Sequence, residues 1–234
     1  MARLWQDELN FYSPKSLALI GSGLGVGAVL ANTSLDRDFQ SHIQSSLHHA
    51  NTDEWLEGLH ANKEFGDGRY TLPVFASAWA LGSFLPESSF SDATRVWGER
   101  SLRGFVIGAP PVLLLQMATG GSRPGETTHG SEWEPFQDNN GVSGHSFMGA
   151  LPFITAAKMT DSVGLKATFY AASALAPLSR TADGAHYPSQ IVLGWWMAYV
   201  AASAVHATDH PGSRWRLFPT ANANCSGMAF EYRF

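Results

Sequence analysis

Polar and apolar residues alternate at helical spacing through most of the chain. Asp36, Asp38, Gln40 and Gln44, for example, stand among apolar residues after a run of possible capping side chains at 32–34. This pattern predicts an all-α fold, a compact bundle of about six helices. The helices are expected near Leu35–Asn62, Val74–Leu85, Asp92–Met117, Ser146–Thr160, Gly164–Leu178 and Ser189–Thr208.

Two stretches depart from the helical pattern. The segment from Thr119 to Gly144 is irregular and rich in turn-forming residues, and a loop of this length in a compact domain is usually functional. Near the C-terminus the alternation of apolar residues around a turn favours a β-hairpin over residues 213–234. No repeat or linker divides the chain, so we expect a single domain over residues 1–234.

Several apolar segments come close to the length of a membrane-spanning helix. The strongest are Ser16–Ala31, Phe105–Ala118 and Gln190–Ala207, whereas a span needs about 20 residues. The mean hydropathy of the chain is only −0.09, which favours a soluble or peripheral protein whose helices pack on each other in water. Acidic and polar residues occupy positions 6–14, where a secretion signal would be apolar, so no signal peptide is expected.

Charge and cysteine content exclude some functions. The net charge is −5, and no basic stripe is present to neutralise nucleic-acid phosphates. The single cysteine, Cys225, excludes an internal disulfide and a metal site built from several cysteines.

Three groups of polar residues stand where predicted helices meet loops. The first contains Arg123 and Pro124, the second is Ser143–His145, and the third contains Arg180 and His186. Each group precedes or follows an apolar run. We therefore expect each of them near a helix end.

Residues of these types can bind and cleave a phosphate ester. The first turn of a helix after Ser143 and Gly144 offers free N–H groups to an anion. Arg123 and Arg180 supply forked donors for a tetrahedral oxyanion. A histidine at a helix N-terminus tends to be neutral and nucleophilic, and a second histidine can protonate the leaving oxygen.

The order and spacing of these residues resemble the type 2 phosphatidic acid phosphatase superfamily, which also includes the vanadium haloperoxidases. The signature of that superfamily is K-x6-R-P, then P-S-G-H, then S-R-x5-H-x3-D. The corresponding segments here are residues 116–124, 142–145 and 179–190. The resemblance covers about a third of the chain and implies the all-helical fold of that superfamily.

The resemblance implies a role for each matching residue. His186 corresponds to the nucleophile that forms a phosphohistidine, and His145 to the general acid. Gln190 takes the place of the third catalytic position, beside His186. The phosphate-binding positions are Gln116, Arg123, Ser143, Gly144 and Arg180. For phosphatases of this superfamily the resemblance implies no metal and no cofactor, although vanadate is a possible phosphate mimic.

Three positions depart from the signature. Gln116 replaces the family lysine, Val142 replaces a proline, and Gln190 replaces an aspartate. Gln190 can still accept a hydrogen bond from His186, but a neutral amide does not stabilise an imidazolium as a carboxylate does. His129 and Asp183 are candidates to supply the two missing charges.

These departures leave three functions open. The first is a phosphatase-like hydrolase of phosphate monoesters, lipid phosphates or pyrophosphates. The second is a catalytically weakened pseudoenzyme with a binding or structural role at the cell envelope. The third is a vanadate-dependent haloperoxidase. The expected partner is a phosphorylated small molecule or lipid head group, and the expected location is periplasmic or membrane-associated.

Overall fold

A computed structural model describes residues 2–48, 60–210, 215–222 and 225–232. Two strands, β1 (Trp215–Asn222) and β2 (Cys225–Tyr232), pair antiparallel with Asn222 opposite Cys225. The rest of the regular structure is helical, and a short 3-10 helix spans Asn62–Gly66. The α-helices with both ends described are α1 (Ala2–Phe11), α2 (Pro14–Ala31), α3 (Leu35–His48), α4 (Gly68–Phe84), α5 (Ser89–Thr119), α6 (Gly144–Lys158), α7 (Val163–Ala172), α8 (Leu175–Ala182) and α9 (Pro188–Asp209).

The predicted all-α fold is confirmed, with some differences in helix boundaries. The helix predicted over Gly164–Leu178 is divided into α7 and α8. Pro177 lacks the N–H that would bond to the carbonyl of Ser173, so a continuous helix is unfavourable there. The helix predicted over Leu35–Asn62 is confirmed as far as residue 48, and residues 49–59 lie outside the described part. The pattern missed α1 and did not assign α2 as a helix of the bundle.

Helix α9 forms the centre of the bundle and packs against α1, α2, α5 and α6. Gly194 of α9 lies against the backbone carbonyl of Ser143, where a Cβ atom would overlap it. The lack of a side chain at Gly194 therefore lets α9 approach the start of α6 closely. The apolar side chains buried around this contact include Phe75, Ile107, Val142, Phe147, Leu151, Ile154, Leu193 and Met197.

Large apolar surfaces face outward from the bundle. Among the described residues, α2, α5 and α9 are long and apolar enough to cross a membrane. Leu17 and Val29 of α2 and Leu113 and Leu114 of α5 are exposed. These surfaces make the chain membrane-associated. The mean hydropathy, which favoured a soluble or peripheral protein, does not reflect these surfaces, because polar loops such as 120–143 lower the average of a chain with apolar helices.

Candidate active site

The candidate site lies at one end of the bundle, where three helices begin or end. Gln116 lies in the last turn of α5, the Ser143–His145 segment opens α6, and His186 directly precedes α9. The N–H of Ser143 donates to the carbonyl of Gln190 at 2.9 Å, which joins the starts of α6 and α9. Helix ends that meet in this way direct unpaired N–H groups and polar side chains toward one space.

The amide of Gln190 determines the tautomer of His186. Gln190 Nε2 donates to the carbonyl of Ser122 at 2.7 Å, and its Oε1 accepts the N–H of Tyr187 at 3.1 Å. The same Oε1 is 2.9 Å from Nδ1 of His186, so Nδ1 must carry the proton. This leaves Nε2 of His186 with its lone pair free.

Burial keeps the imidazole of His186 neutral. The residue is 3% exposed, and burial lowers its pKa to about 4, with the positive charges of Arg123 and Arg180 acting in the same direction. The hydrogen bond to Gln190 opposes this effect only in part. At neutral pH His186 is therefore an uncharged imidazole, the form that a nucleophile requires.

His145 lies in the first turn of α6 and is exposed to solvent. Gly66 packs on the backbone of His145. A Cβ atom at Gly66 would lie only 2.6 Å from the His145 carbonyl oxygen, so a side chain does not fit there. Partial burial lowers the pKa of His145, and Arg180 and Arg123 lower it further, while Asp67 raises it. Asp67 itself caps α4 and binds Arg69, which lowers the pKa of Asp67 to about 2.

The guanidinium of Arg123 is held in place by its own loop. Its Nε donates to Oδ1 of Asn140 at 2.9 Å, and its Nη atoms make no hydrogen bond to the described residues. Asn140 is buried, and its Nδ2 donates to Glu126 at 3.3 Å and to Asp138 at 3.0 Å. Two carboxylates therefore orient the amide of Asn140, and the amide orients Arg123.

Arg180 has a hydrogen-bonding group without a partner. Its Nη1 lies 3.4 Å from Asp183, whereas its buried Nε has no partner in the described part of the chain. Unpaired buried donors are rare and call for an explanation, such as a catalytic role or a bound water or ion. Arg123 and Arg180 both act electrostatically on His145 and His186. The structure thus brings all four side chains into one locality.

Two other predicted phosphate-binding residues, Gln116 and Ser143, have contacts within the protein. Gln116 Nε2 donates to the carbonyl of Val142 at 2.7 Å and lies beside Gly144. Ser143 is buried, and its hydroxyl accepts the N–H of Ser146 at 3.2 Å. The Ser143 side chain therefore caps α6, while the N–H groups of Gly144 and His145 have no intrahelical acceptor.

Neither suggested replacement for the missing charges contacts His186 or Gln116. His129 Nδ1 lies 3.2 Å from Glu134, and its side chain is mostly exposed. Asp183 lies 2.9 Å from Nδ1 of His60 and 3.4 Å from Arg180. Asp183 therefore acts on the neighbours of the site, and Gln190 remains the partner of His186.

Two buried residues of the site were missed in the sequence. One is Asn140, and the other is Asp36 of α3, whose carboxylate accepts the backbone N–H of Ser189 at 2.8 Å and the Ser189 hydroxyl. An acid at a helix N-terminus is favourable, so Asp36 stabilises the start of α9. Asp36 and Ser189 are 153 positions apart, so no local pattern signals this contact.

An apolar cavity of about 760 Å³ extends from the side of the site toward the end of α6, where Met159 and Thr160 line it. It begins at Glu64 and Phe65 of the 3-10 helix, and Gly66 at the end of that helix packs on His145. Its wall is formed by apolar side chains of α4, α5, α6 and α7, including Val74, Phe75, Phe90, Trp97, Phe153 and Phe169. In the described part of the chain, no group of three or more His, Cys, Asp or Glu side chains is placed to hold a metal ion.

Comparison with known proteins agrees with the sequence motifs. Residues 102–211 match the PAP2 superfamily, and this range contains every motif position from Gln116 to Gln190. The fold is similar to the crystal structure of a transmembrane PAP2-type phosphatidylglycerolphosphate phosphatase from Bacillus subtilis, with a TM-score of 0.62 at 18% sequence identity. The match covers 86% of this chain and 98% of that one. A search of curated protein sequences finds no match.

Proposed function

Because residues 102–211 match the PAP2 superfamily, we propose that the chain is a membrane-associated phosphatase that acts on lipid phosphates through a phosphohistidine on His186. The observation that carries this proposal is the bond between His186 Nδ1 and Gln190 Oε1. It holds the imidazole in the tautomer whose free Nε2 can attack phosphorus. The buried and unpaired Nε of Arg180 supports an anion beside it.

The residues suggest a reaction in two steps. In the first, Nε2 of His186 forms a bond to phosphorus while the bond to the leaving oxygen breaks, and His145 gives that oxygen a proton. In the second, His145 takes a proton from water as the water oxygen attacks phosphorus and releases His186. Arg123, Arg180 and the N–H groups that open α6 would stabilise the charge on the phosphoryl oxygens in both steps.

The apolar cavity favours a lipid as the substrate. Its volume falls in the range of about 300–1,000 Å³ typical of ligand pockets, and its wall offers almost no polar groups to an occupant. An acyl chain in this cavity would leave its phosphate head group beside His145. The exposed apolar helices support access of membrane lipids to this cavity.

The site is proposed to face the periplasmic or outer side of the membrane. Arg3, Lys15, Lys158 and Lys166 lie at or near the opposite end of the bundle, and basic residues at helix ends favour the cytoplasmic side.

Phosphate release from a phosphatidic acid and from a soluble aryl phosphate tests the proposed function. We expect turnover by the wild type, none by His186→Ala, and normal turnover by His129→Ala, which removes an exposed histidine of the same loop region. His145→Ala should lose more activity on the lipid than on the aryl phosphate, because only the poor leaving group needs protonation. No turnover by the wild type on either substrate would favour the pseudoenzyme.

The pseudoenzyme has specific support in Gln116 and Gln190, which remove two charges from the family pattern. A vanadate-dependent haloperoxidase is a third candidate, since the same cradle suits vanadate. Bromide oxidation with added vanadate separates this candidate from the other two.

A further inference from the structure

Three of the four lysines in the chain gather at the end of the bundle away from the candidate site. Lys158 is the last residue of α6, about 20 Å along the helix from His145. Lys15 lies in the first turn of α2, and Lys166 lies in α7. The charges of Lys166 and Lys15 both act on Lys158, which places each of them within electrostatic range of its ammonium group.

The three lysines of this cluster lack a paired carboxylate in the described part of the chain. None of its members forms an ion pair with a carboxylate among residues 2–46 and 60–210. Lys158 is half-buried, and its Nζ stands 4.5 Å from the ring centroid of Tyr199. Holding like charges together and partly out of water is unfavourable unless an anion accompanies them. The fourth lysine, Lys63, differs because it lies 2.7 Å from His60 Nε2.

A partly exposed aromatic surface adjoins the lysine cluster. Tyr199 stacks on Trp195 at 5.9 Å and contacts Trp196 at 5.9 Å and Tyr170 at 6.5 Å. The indole N–H of Trp195 donates to Ser173, and that of Trp196 donates to the carbonyl of Leu19. These bonds fix the orientation of the two indole rings at the surface of the core. Tryptophan and tyrosine beside lysine are typical of a membrane–water boundary.

The position of the cluster relative to the membrane suggests its ligand. Lys15 is the second residue of a helix that can span the bilayer, so it marks the boundary on this side. We propose that Lys15, Lys158 and Lys166 bind the phosphate of an anionic phospholipid in the leaflet away from the candidate site. The acyl chains of that lipid lie on the surface formed by Trp195, Trp196 and Tyr199. This binding does not depend on phosphatase activity.

Native mass spectrometry of the purified full chain in detergent tests the proposal. The probes are phosphatidylglycerol and phosphatidylcholine of identical chains, and both are phosphodiesters that a monoesterase leaves intact. We expect the wild type to retain phosphatidylglycerol preferentially and Lys158→Gln to lose about fivefold in apparent affinity, since one lysine near an anionic surface contributes about that factor. Lys63→Gln is the matched control and should behave like the wild type, and Lys158→Arg should restore retention.

Two results would overturn the proposal. One is unchanged lipid selectivity in Lys158→Gln and in the double variant Lys15→Gln/Lys166→Gln. The double variant replaces exposed side chains, so it remains informative if Lys158→Gln fails to fold. The other is displacement of the lipid by glycerol 3-phosphate at equal concentration, which would identify a site for a soluble anion. Selective loss in these variants with retention in the control supports the lipid site.

Discussion

Nδ1 of His186 donates a hydrogen bond to Oε1 of Gln190 at 2.9 Å, and a neutral amide thus holds the residue proposed to attack phosphorus. The amide is itself oriented by the N–H of Tyr187 and the carbonyl of Ser122. An aspartate at position 190 could accept the hydrogen bonds from His186 and Tyr187, but it could not donate one to the carbonyl of Ser122. In this chain, therefore, the surrounding backbone matches glutamine, and a return to the family residue is not a simple repair.

Gln190→Glu tests that relationship through the pH dependence of the reaction. A carboxylate beside His186 favours the imidazolium, so it raises the pKa of His186 from about 4. We expect the acid limb of the kcat/KM profile to move to higher pH, and the free energy of unfolding to fall by about 1–3 kcal/mol because the Ser122 carbonyl loses its donor. Gln137→Glu adds the same charge to an exposed part of the loop and should leave the acid limb in place.

The wild-type pH profile should have an acidic optimum. His186 must be neutral to attack, so activity rises as the pH increases through about 4. His145 must carry a proton to donate it. Burial and Arg180 lower the pKa of His145 from 6.5, so activity starts to fall with rising pH before neutral pH is reached. Measurement of kcat/KM for a lipid phosphate across this range checks both limbs. An alkaline optimum would contradict these assignments.

Gln116→Lys should raise activity on phosphate monoesters about tenfold. Gln116 Nε2 lies beside Gly144 at the start of α6, so an ammonium there adds a charge where a dianion is proposed to bind. A charged hydrogen bond contributes about 1.5–3 kcal/mol against about 1 kcal/mol for a neutral one, and about 1.4 kcal/mol is a factor of ten in rate. Gln116→Met has a similar size without charge or donor and should lower kcat/KM. Equal activity of the wild type, Gln116→Lys and Gln116→Met would show that Gln116 does not act on the substrate.

Asn140→Ala should weaken substrate binding through Arg123. Loss of Oδ1 frees the guanidinium to take other orientations, so we expect KM to rise more than kcat falls, with kcat/KM lower by about tenfold. Asn139→Ala changes the exposed neighbour and should have little effect. If Arg123→Ala and Asn140→Ala lower activity independently, so that the double variant shows the product of both losses, Asn140 does not act by positioning Arg123.

Local patterns in the sequence were sufficient for most of the helices after α2 and for the residues of the three motifs. Polar and apolar spacing predicted α5, α6 and α9 near their observed positions, and Arg123, His145, Arg180 and His186 lie in one locality. Their proposed roles remain predictions. The family pattern identified this set because its spacing places each residue at a helix end.

Contacts between distant segments and average composition were the less informative signals. Nothing near Asp36 in sequence indicates that its carboxylate meets Ser189, and Asn140 acquires its role only when the loop folds onto Arg123. Asp183 was a candidate to supply a charge to His186, but it contacts His60 and Arg180 instead. The mean hydropathy does not reveal the outward-facing apolar surfaces, because it averages the apolar helices with polar loops.

Detection of phosphate on His186 tests the central claim most directly. His145→Ala with an aryl phosphate is the informative variant, because attack on a good leaving group proceeds without the acid while hydrolysis of the intermediate lacks its base. The protein is quenched under alkaline conditions and its peptides are analysed by mass spectrometry. We predict a phosphate on His186 that approaches one per chain in His145→Ala and is absent in His186→Ala. Continued turnover with no phosphate on His186 in any variant would contradict the account.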